Sequence, residues 1–523
     1  MKKLFQFIIL FIILLISFRT DFRFKTNVEC CSDDYTYYAH AETIAIDWDL
    51  DYSNQITQEH PFYYSKNDKL TPIGFIGSGI ISSPFMFIGN FMNNLFEKNL
   101  GFEKIYNYKI LLYSFSSVFY FFITYILITK IFSKLQIHVN KYLVLLVFSG
   151  SGITYYAFER FSMTHIYEVF TITLLIYVSI NSYNSYSKYH NLSSFFVPIV
   201  LTLSFLTRMN NLFIFIVPII VKKLIKNYSQ NKIFLLKNIY FYLGSFISIF
   251  LYSKINIALY GEVIFNPQRI YGTNIAISGL VGSEKNILAL TYKIIFTISK
   301  VMFSFEFGLF WVSAVIFLGF LVTMLNLKDF TSFSPYIYLF IYLQNLAIIY
   351  IWQGTASSYG YRYLLCLLPI SMLQVFRFFE IKILKYYLLA FSLIGVISVI
   401  FFETTTLTQL STSLEFNTFG DIRRYTQPQY LKGLFLSFFS FNSYLIIFST
   451  SFLGAIFFKT LLITIGESKM FYVFNNLGLP INNEDFIDLI SKLNIINLDK
   501  FFTTIIILMF FCYIVVYKIP EKT

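Results

Sequence analysis

Charge is what this chain has least of. Only 13% of its 523 residues are Asp, Glu, Lys or Arg, where an ordinary soluble domain carries about a quarter. That shortage, beside 56% hydrophobic and 21% aromatic residues and a mean hydropathy of +0.64, excludes a soluble enzyme and points to a polytopic membrane protein. Glycine (22) and proline (11) are scarce as well, and the chain shows no low-complexity linker, no internal repeat and no separate soluble domain. Cysteine is nearly absent. Cys366 and Cys512 lie within apolar runs, Cys30 and Cys31 are adjacent and would bridge only with strain, and no zinc spacing occurs. The net charge of +12 is spread over short loops, with no basic cluster suited to nucleic acid, so positive-inside topology and contact with anionic headgroups account for it. The 65 phenylalanines fit an AT-rich coding bias better than a cofactor box.

What the chain has in quantity is long apolar segments. Residues 4–18, 106–128, 142–158, 164–180, 195–206, 212–221, 239–259, 301–325, 335–351, 363–376, 386–402, 444–458 and 501–516 predict an all-α transmembrane bundle of about 11–14 spans. The short pair 195–206 and 212–221 suits a shallow hairpin. Lys2 and Lys3 precede the first run, which ends at Phe18-Arg19 without a small-residue cleavage site and therefore reads as a retained first span. Residues 74–91 are apolar but rich in Gly and Ser and contain Pro84. Placing them as a helix on the outer membrane face keeps Lys130, Lys134, Lys141, Lys222, Lys223, Lys226, Arg377, Lys382 and Lys385 on the inner side. Residues 21–107, 260–300, 352–362 and 403–442 then lie outside. The chain divides into a membrane domain, 1–458, and a cytoplasmic segment with the last span, 459–523.

Residues 21–71 reverse the overall charge balance, with ten acids against four bases. Ser32 is a helix N-cap type, Asp33 and Asp34 then occupy a first turn that favours anions, and Asp34, Tyr38, Glu42 and Ala45 share a face. The tyrosines and small residues between them are fit to lie against headgroups. A paired carboxylate here is either a general base or a solvated loop. Asp47, Asp49 and Asp51, at alternate positions, read either as ligands for a hard divalent cation or as an exposed turn.

Further on, GITYYAFERFSMTHIYEVF (152–170) places Glu159, Arg160, His165 and Glu168 at the outer end of two consecutive spans, where snorkelling is the alternative to function. His165 and Glu168 share a face with Arg160 if the helix is continuous. SFLTRMNNLF (204–213) sets Arg208 between two short apolar stretches. IWQGTASSYGYRYLLCLLP (351–369) returns to the outer face with Trp352 and Arg362, whose guanidinium suits a lipid phosphate or an interfacial anchor.

In order, these elements resemble the GT-C superfamily of integral-membrane glycosyltransferases, which includes protein O-mannosyltransferases and aminoarabinose transferases. The resemblance rests on a first span, the pair Asp33-Asp34, His60-Pro61 and the apolar stretch 74–91. FERFSMTHIYEVF (158–170) is similar to an R-x-S-M-S-H-x-Y element, and FEFGLFWVSAVIFLG (305–319) to G-L-F-W-x-S-P, with Ala314 where proline is usual. WQGTASSYGYRYLLCLLP (352–369) is similar to W-G-G-x-S-x-G-x-R-Y-L-L-P-L-L-P. The likeness covers roughly residues 1–400 as a series of weak motifs. Phe62 stands where many members carry a second proline, and the soluble carboxy-terminal domain of some relatives is absent.

The resemblance implies a sugar donor on polyprenyl phosphate and a lipid, envelope-glycan or protein acceptor at the extracytoplasmic face of a bacterial inner membrane. It casts Asp33 or Asp34 as general base and Arg362, Arg208 and Arg160, in that order, as cations for the leaving phosphate. His60, His165, Glu168 and Tyr361 would line the cavity. No cofactor is implied beyond the divalent ion already considered. A flippase or transporter of lipid-linked saccharides would need charges deep in the bundle and two-fold repeats. A polymerase or ligase of such saccharides would carry a large late loop, and an assembly factor would use the acidic loop to hold a partner.

Overall fold

Apolar segments without water to solvate their backbone must close their hydrogen bonds internally, so a chain of this composition is driven to helix. The computed structural model describes residues 2–20, 32–56, 63–66, 69–100, 108–183, 188–225, 238–266, 268–271, 287–304, 307–327, 334–352, 359–402, 430–476, 486–487, 489–490, 493–494 and 498–521. Nearly all of this is helical. The strands among the described residues are one hairpin, β1 (Tyr63–Lys66) and β2 (Lys69–Pro72), antiparallel with Tyr63 opposite Pro72.

Six helices among the described residues are long and apolar enough to cross a membrane. They are α4 (Tyr108–Lys134), α7 (His165–Tyr183), α8 (His190–Thr207), α10 (Ile239–Tyr260), α15 (Lys382–Ile400) and the last, Lys500–Lys518. The expected shallow hairpin is corrected at its first arm, because α8 starts five residues before 195 and reaches span length at 18 residues.

Several expected spans are instead broken. Segment 142–158 divides into α5 (Lys141–Phe148), a π turn (Ser149–Ile153) and α6 (Thr154–Phe158). Gly152 at φ +88° makes that break, a conformation that residues with a Cβ rarely adopt. Segment 301–325 divides into α11 (Ile287–Phe303) and α12 (Ala314–Asn326), with one short helical turn between them. Segment 444–458 is split at Ser451, and 363–376 starts as a 3-10 turn. The helix α13 (Ser334–Trp352) matches the run at 335–351.

The acidic stretch forms α2 (Ser32–Glu42), with Asp33 and Asp34 in its first turn, followed by a π turn (Thr43–Asp47). Its tyrosines do not face headgroups as expected. Tyr37, Tyr38, Ala39, His40 and Ala41 are all buried, packed under α3 (Ile76–Leu100). The first residues of α3 lie on the carboxy-terminal end of α8, where a methyl at Gly77 would overlap the Thr207 backbone. From there α3 runs antiparallel to the first half of α4: the Tyr120 hydroxyl donates to the Ile81 carbonyl at 3.0 Å, and Phe85 packs on Phe119 and Tyr120.

Two buried cations tie distant helix ends together. Arg19 donates to the Ile447 carbonyl and the Thr450 hydroxyl at 2.8 Å each and to the Ile400 carbonyl at 3.1 Å. It thereby caps α15 and α17 (Phe441–Thr450) at their carbonyl ends. At the opposite end of the bundle Lys141 donates to Val515, Val516 and Ile519 carbonyls at 2.8–2.9 Å. That end also gathers Lys134, Lys3 beside Tyr517, and Arg377, next to the Phe376 ring that packs on Phe132.

His40 anchors α2. Its Nε2 donates to the Gly74 carbonyl at 2.8 Å and its Nδ1 accepts from the Tyr52 hydroxyl at 2.6 Å. Burial pushes the imidazole pKa down to about 4, against the pull of the Gly74 bond. Protonation is thus easier in the unfolded chain. Stability is expected to be level above pH 6.5 and to fall by about 3 kcal/mol as the pH drops from 6.5 to 4. Thermal unfolding in detergent across that interval checks this, with His40→Gln predicted to lack this part of the slope.

Candidate active site

Glu159–Thr164 is not helical, so Arg160 does not share a continuous helix face with His165 and Glu168 as the spacing suggested. The chain leaves α6 with the Glu159 and Arg160 amides both bonded to the Tyr155 carbonyl, and turns before α7 starts at His165. That turn aims Arg160 and Ser162 at one target. Arg160 Nη2 contacts Asp34 Oδ2 at 2.6 Å, and the Ser162 hydroxyl donates to Asp34 Oδ1 at 2.9 Å. Asp34 is 1% exposed, with both carboxylate oxygens engaged. Burial raises its pKa above the usual carboxylate value, opposed by the Arg160 charge and the Ser162 bond.

Asp33, one residue away on α2, is 51% exposed. Its Oδ2 lies 3.5 Å from Arg362 Nη2. Arg362 starts a 3-10 turn (Arg362–Leu367), and Gly360 at φ +65° lets the chain bend into it. Arg362 Nε is buried without a hydrogen-bond partner among the described residues. Its Nη2 donates to the Tyr363 hydroxyl at 3.3 Å, and its guanidinium stands 5.2 Å from the Tyr363 ring centre.

The same ring carries a second guanidinium, that of Arg208, at 4.3 Å. Arg208 caps α8 in extended conformation (φ −159°), which turns it away from the helix toward α7. There it meets Glu168 at 3.4 Å and His165 Nδ1 at 3.2 Å. Glu168 also contacts His165 Nδ1 at 3.3 Å and accepts from Asn211 Nδ2. The Thr164 hydroxyl donates to the Thr207 carbonyl at 3.2 Å and holds the two helix ends side by side.

Residues from four separate stretches thus form one polar strip. It runs from Arg160 and Asp34, through the neighbouring Asp33, to Arg362, Tyr363, Arg208, Glu168 and His165. Tyr361 is buried at the head of the Arg362 turn. His60 falls outside the described residues. Ser162, Asn211 and Tyr363 escaped the sequence reading, although each sits within three residues of a predicted arginine.

The divalent-ion reading of Asp47, Asp49 and Asp51 does not fit. Asp47 accepts from Asn54 and Gln55, Asp49 from the Asp51 amide at 3.1 Å, and Asp51 from the Ser53 amide at 3.0 Å. The carboxylates fold their own loop, and among the described residues no three His, Cys, Asp or Glu side chains converge. Comparison with known protein families, with curated proteins and with solved structures finds no match for this chain.

A buried ion pair that loses one partner leaves the other charge stranded. Asp34→Asn and Arg160→Gln are each expected to destabilise the fold by about 3–5 kcal/mol, and the double variant by clearly less than their sum. Asp33→Asn should change stability by no more than about 1 kcal/mol, as for a half-exposed pair. Denaturant unfolding of these four variants and wild type in detergent measures this; strict additivity would show that Asp34 and Arg160 are not coupled.

Proposed function

We propose that this protein is an integral-membrane glycosyltransferase that moves a sugar from a polyprenyl-phosphate donor to a lipid, glycan or protein hydroxyl. The observation that carries the reading is the unequal environment of the two aspartates. Asp34 has both oxygens tied up and almost no surface, so it acts as a positioning residue. Asp33 is half exposed, stands 3.5 Å from Arg362 and belongs to the same helical turn. A general base must reach the proton it removes, and Asp33 is the carboxylate with room to do so.

In the proposed reaction Asp33 takes the proton of the acceptor hydroxyl. The oxygen forms a bond to the anomeric carbon with inversion, and the bond from that carbon to the phosphate oxygen breaks. Polyprenyl phosphate leaves with the electron pair. Arg362 is the cation for that phosphate, because its acid partner is the loosest of the three and its Nε is unsatisfied among the described residues. Arg208 is held by Glu168 and Arg160 by Asp34, which makes them supports of the site. His165, Glu168 and Tyr361 belong to its wall. The concentration of Lys134, Lys141 and Arg377 at the opposite end of the bundle favours an outward-facing site in a bacterial inner membrane.

Purified protein given a panel of polyprenyl-phosphate sugars is expected to release free polyprenyl phosphate. Asp33→Asn should slow that release by roughly 100-fold or more while leaving the melting temperature nearly unchanged, as for loss of a general base. Arg362→Met should weaken donor use. Full turnover by Asp33→Asn would remove the base assignment, and absence of release from every donor would remove the transferase reading.

A further inference from the structure

We propose that a crevice between α1 (Lys2–Ser17), α4 and α5 binds the acyl chain of an anionic phospholipid whose headgroup sits at the lysine-bearing end of the bundle. The crevice holds about 310 Å³ and is walled by Ile9, Ile13, Phe121, Leu145 and Phe158, with Tyr142 at one end. Ile9 and Ile13 are 42% and 46% exposed, so the crevice opens sideways into what would be bilayer. It follows α1 from Gln6 to Ser17, a rise of about 16 Å. That is the length of an extended acyl chain and not of a compact ligand.

The two ends differ in a way that selects the occupant. At the far end Ser17 and Phe158 lead directly into Arg19 and Glu159, both buried and 3.8 Å apart, so among the described residues that end meets an ion pair already matched in charge and offers no cation for a headgroup. At the near end Tyr142 donates to Gln6 at 2.7 Å. One turn beyond Gln6 stands Lys3, which shares the crevice face of α1, since Lys3, Gln6, Leu10, Ile13 and Ser17 succeed each other at steps of three and four. Lys3 is exposed and lies over Tyr517, next to the exposed Lys518. Lys141 is spent on backbone carbonyls, and Glu521 offsets part of the charge. An apolar slot ending at exposed lysines matches a fatty chain joined to a phosphate.

Native mass spectrometry of the full chain in detergent, titrated with phosphatidylglycerol and with phosphatidylcholine, tests the site. Wild type should retain phosphatidylglycerol in preference. Ile13→Trp, which fills the slot, should lower the retained phosphatidylglycerol several-fold, and the smaller Ile13→Phe should do so in part. Lys3→Glu, which removes one lysine and adds a charge of the opposite sign, should cut the preference by at least about fivefold, the effect of losing one lysine at an anionic surface. Equal retention of the two lipids by wild type would overturn the proposal. So would retention unaltered by both Ile13 variants, a preference unaltered by Lys3→Glu, or displacement of phosphatidylglycerol by polyprenyl phosphate.

Discussion

Asp34 and Arg160 come from places 126 residues apart and meet at 2.6 Å, almost wholly removed from solvent. Taking two such charges out of water costs several kcal/mol per ion, repaid only when geometry is good and the remaining polar atoms are bonded. The short contact and the Ser162 bond meet that demand on the carboxylate side. The consequence is geometric: the pair fixes the start of α2 against the turn between α6 and α7. Asp33, as the next residue back, is thereby held at the edge of the same polar strip with its own carboxylate still accessible. Which of the two identical side chains is buried and which stays accessible follows from which one faces Arg160.

The same logic governs the ends of the bundle. Helix termini leave carbonyls without partners, and in an apolar setting each unsatisfied group is expensive. Arg19 and Lys141 answer this at opposite ends by giving several donors to carbonyls of remote helices. Each draws the carboxy-terminal helices onto the amino-terminal half. Arg19 also lies beside Glu159, the neighbour of Arg160, so the Arg19 clamp and the candidate site share a turn. The Lys141 clamp leaves Lys3 and Lys518 exposed over the Tyr517 and Tyr513 rings, and the crevice beside α1 therefore ends near positive charge.

Much of the architecture was legible in apolar run length. The runs at 106–128, 164–180, 239–259 and 386–402 correspond to α4, α7, α10 and α15, and the acidic pair lies in a first helical turn as Ser32 suggested. Breaks were not legible. Gly152 looks like any glycine in an apolar run until its φ of +88° is known, and nothing in 301–325 marks the interruption after Phe303. The candidate residues were named from charge in an otherwise uncharged chain, because an ionised side chain near a bilayer demands a reason. The reasons themselves were hidden, since Ser162, Asn211 and Tyr363 are ordinary polar residues until they face a carboxylate or a guanidinium.

Composition and periodicity by themselves determined that this chain is helical and suited to a membrane, and they drew attention to Asp33, Asp34, Arg160, Arg208 and Arg362. They act through solvation, which depends on residue type and local spacing alone. Which acid pairs with which arginine, which aspartate keeps an open face and which acidic run merely closes its own loop were decided only by tertiary structure. For Asp33 and Asp34 those outcomes depend on distances to segments more than a hundred residues away, and a few ångströms separate a buried ion pair from an accessible carboxylate.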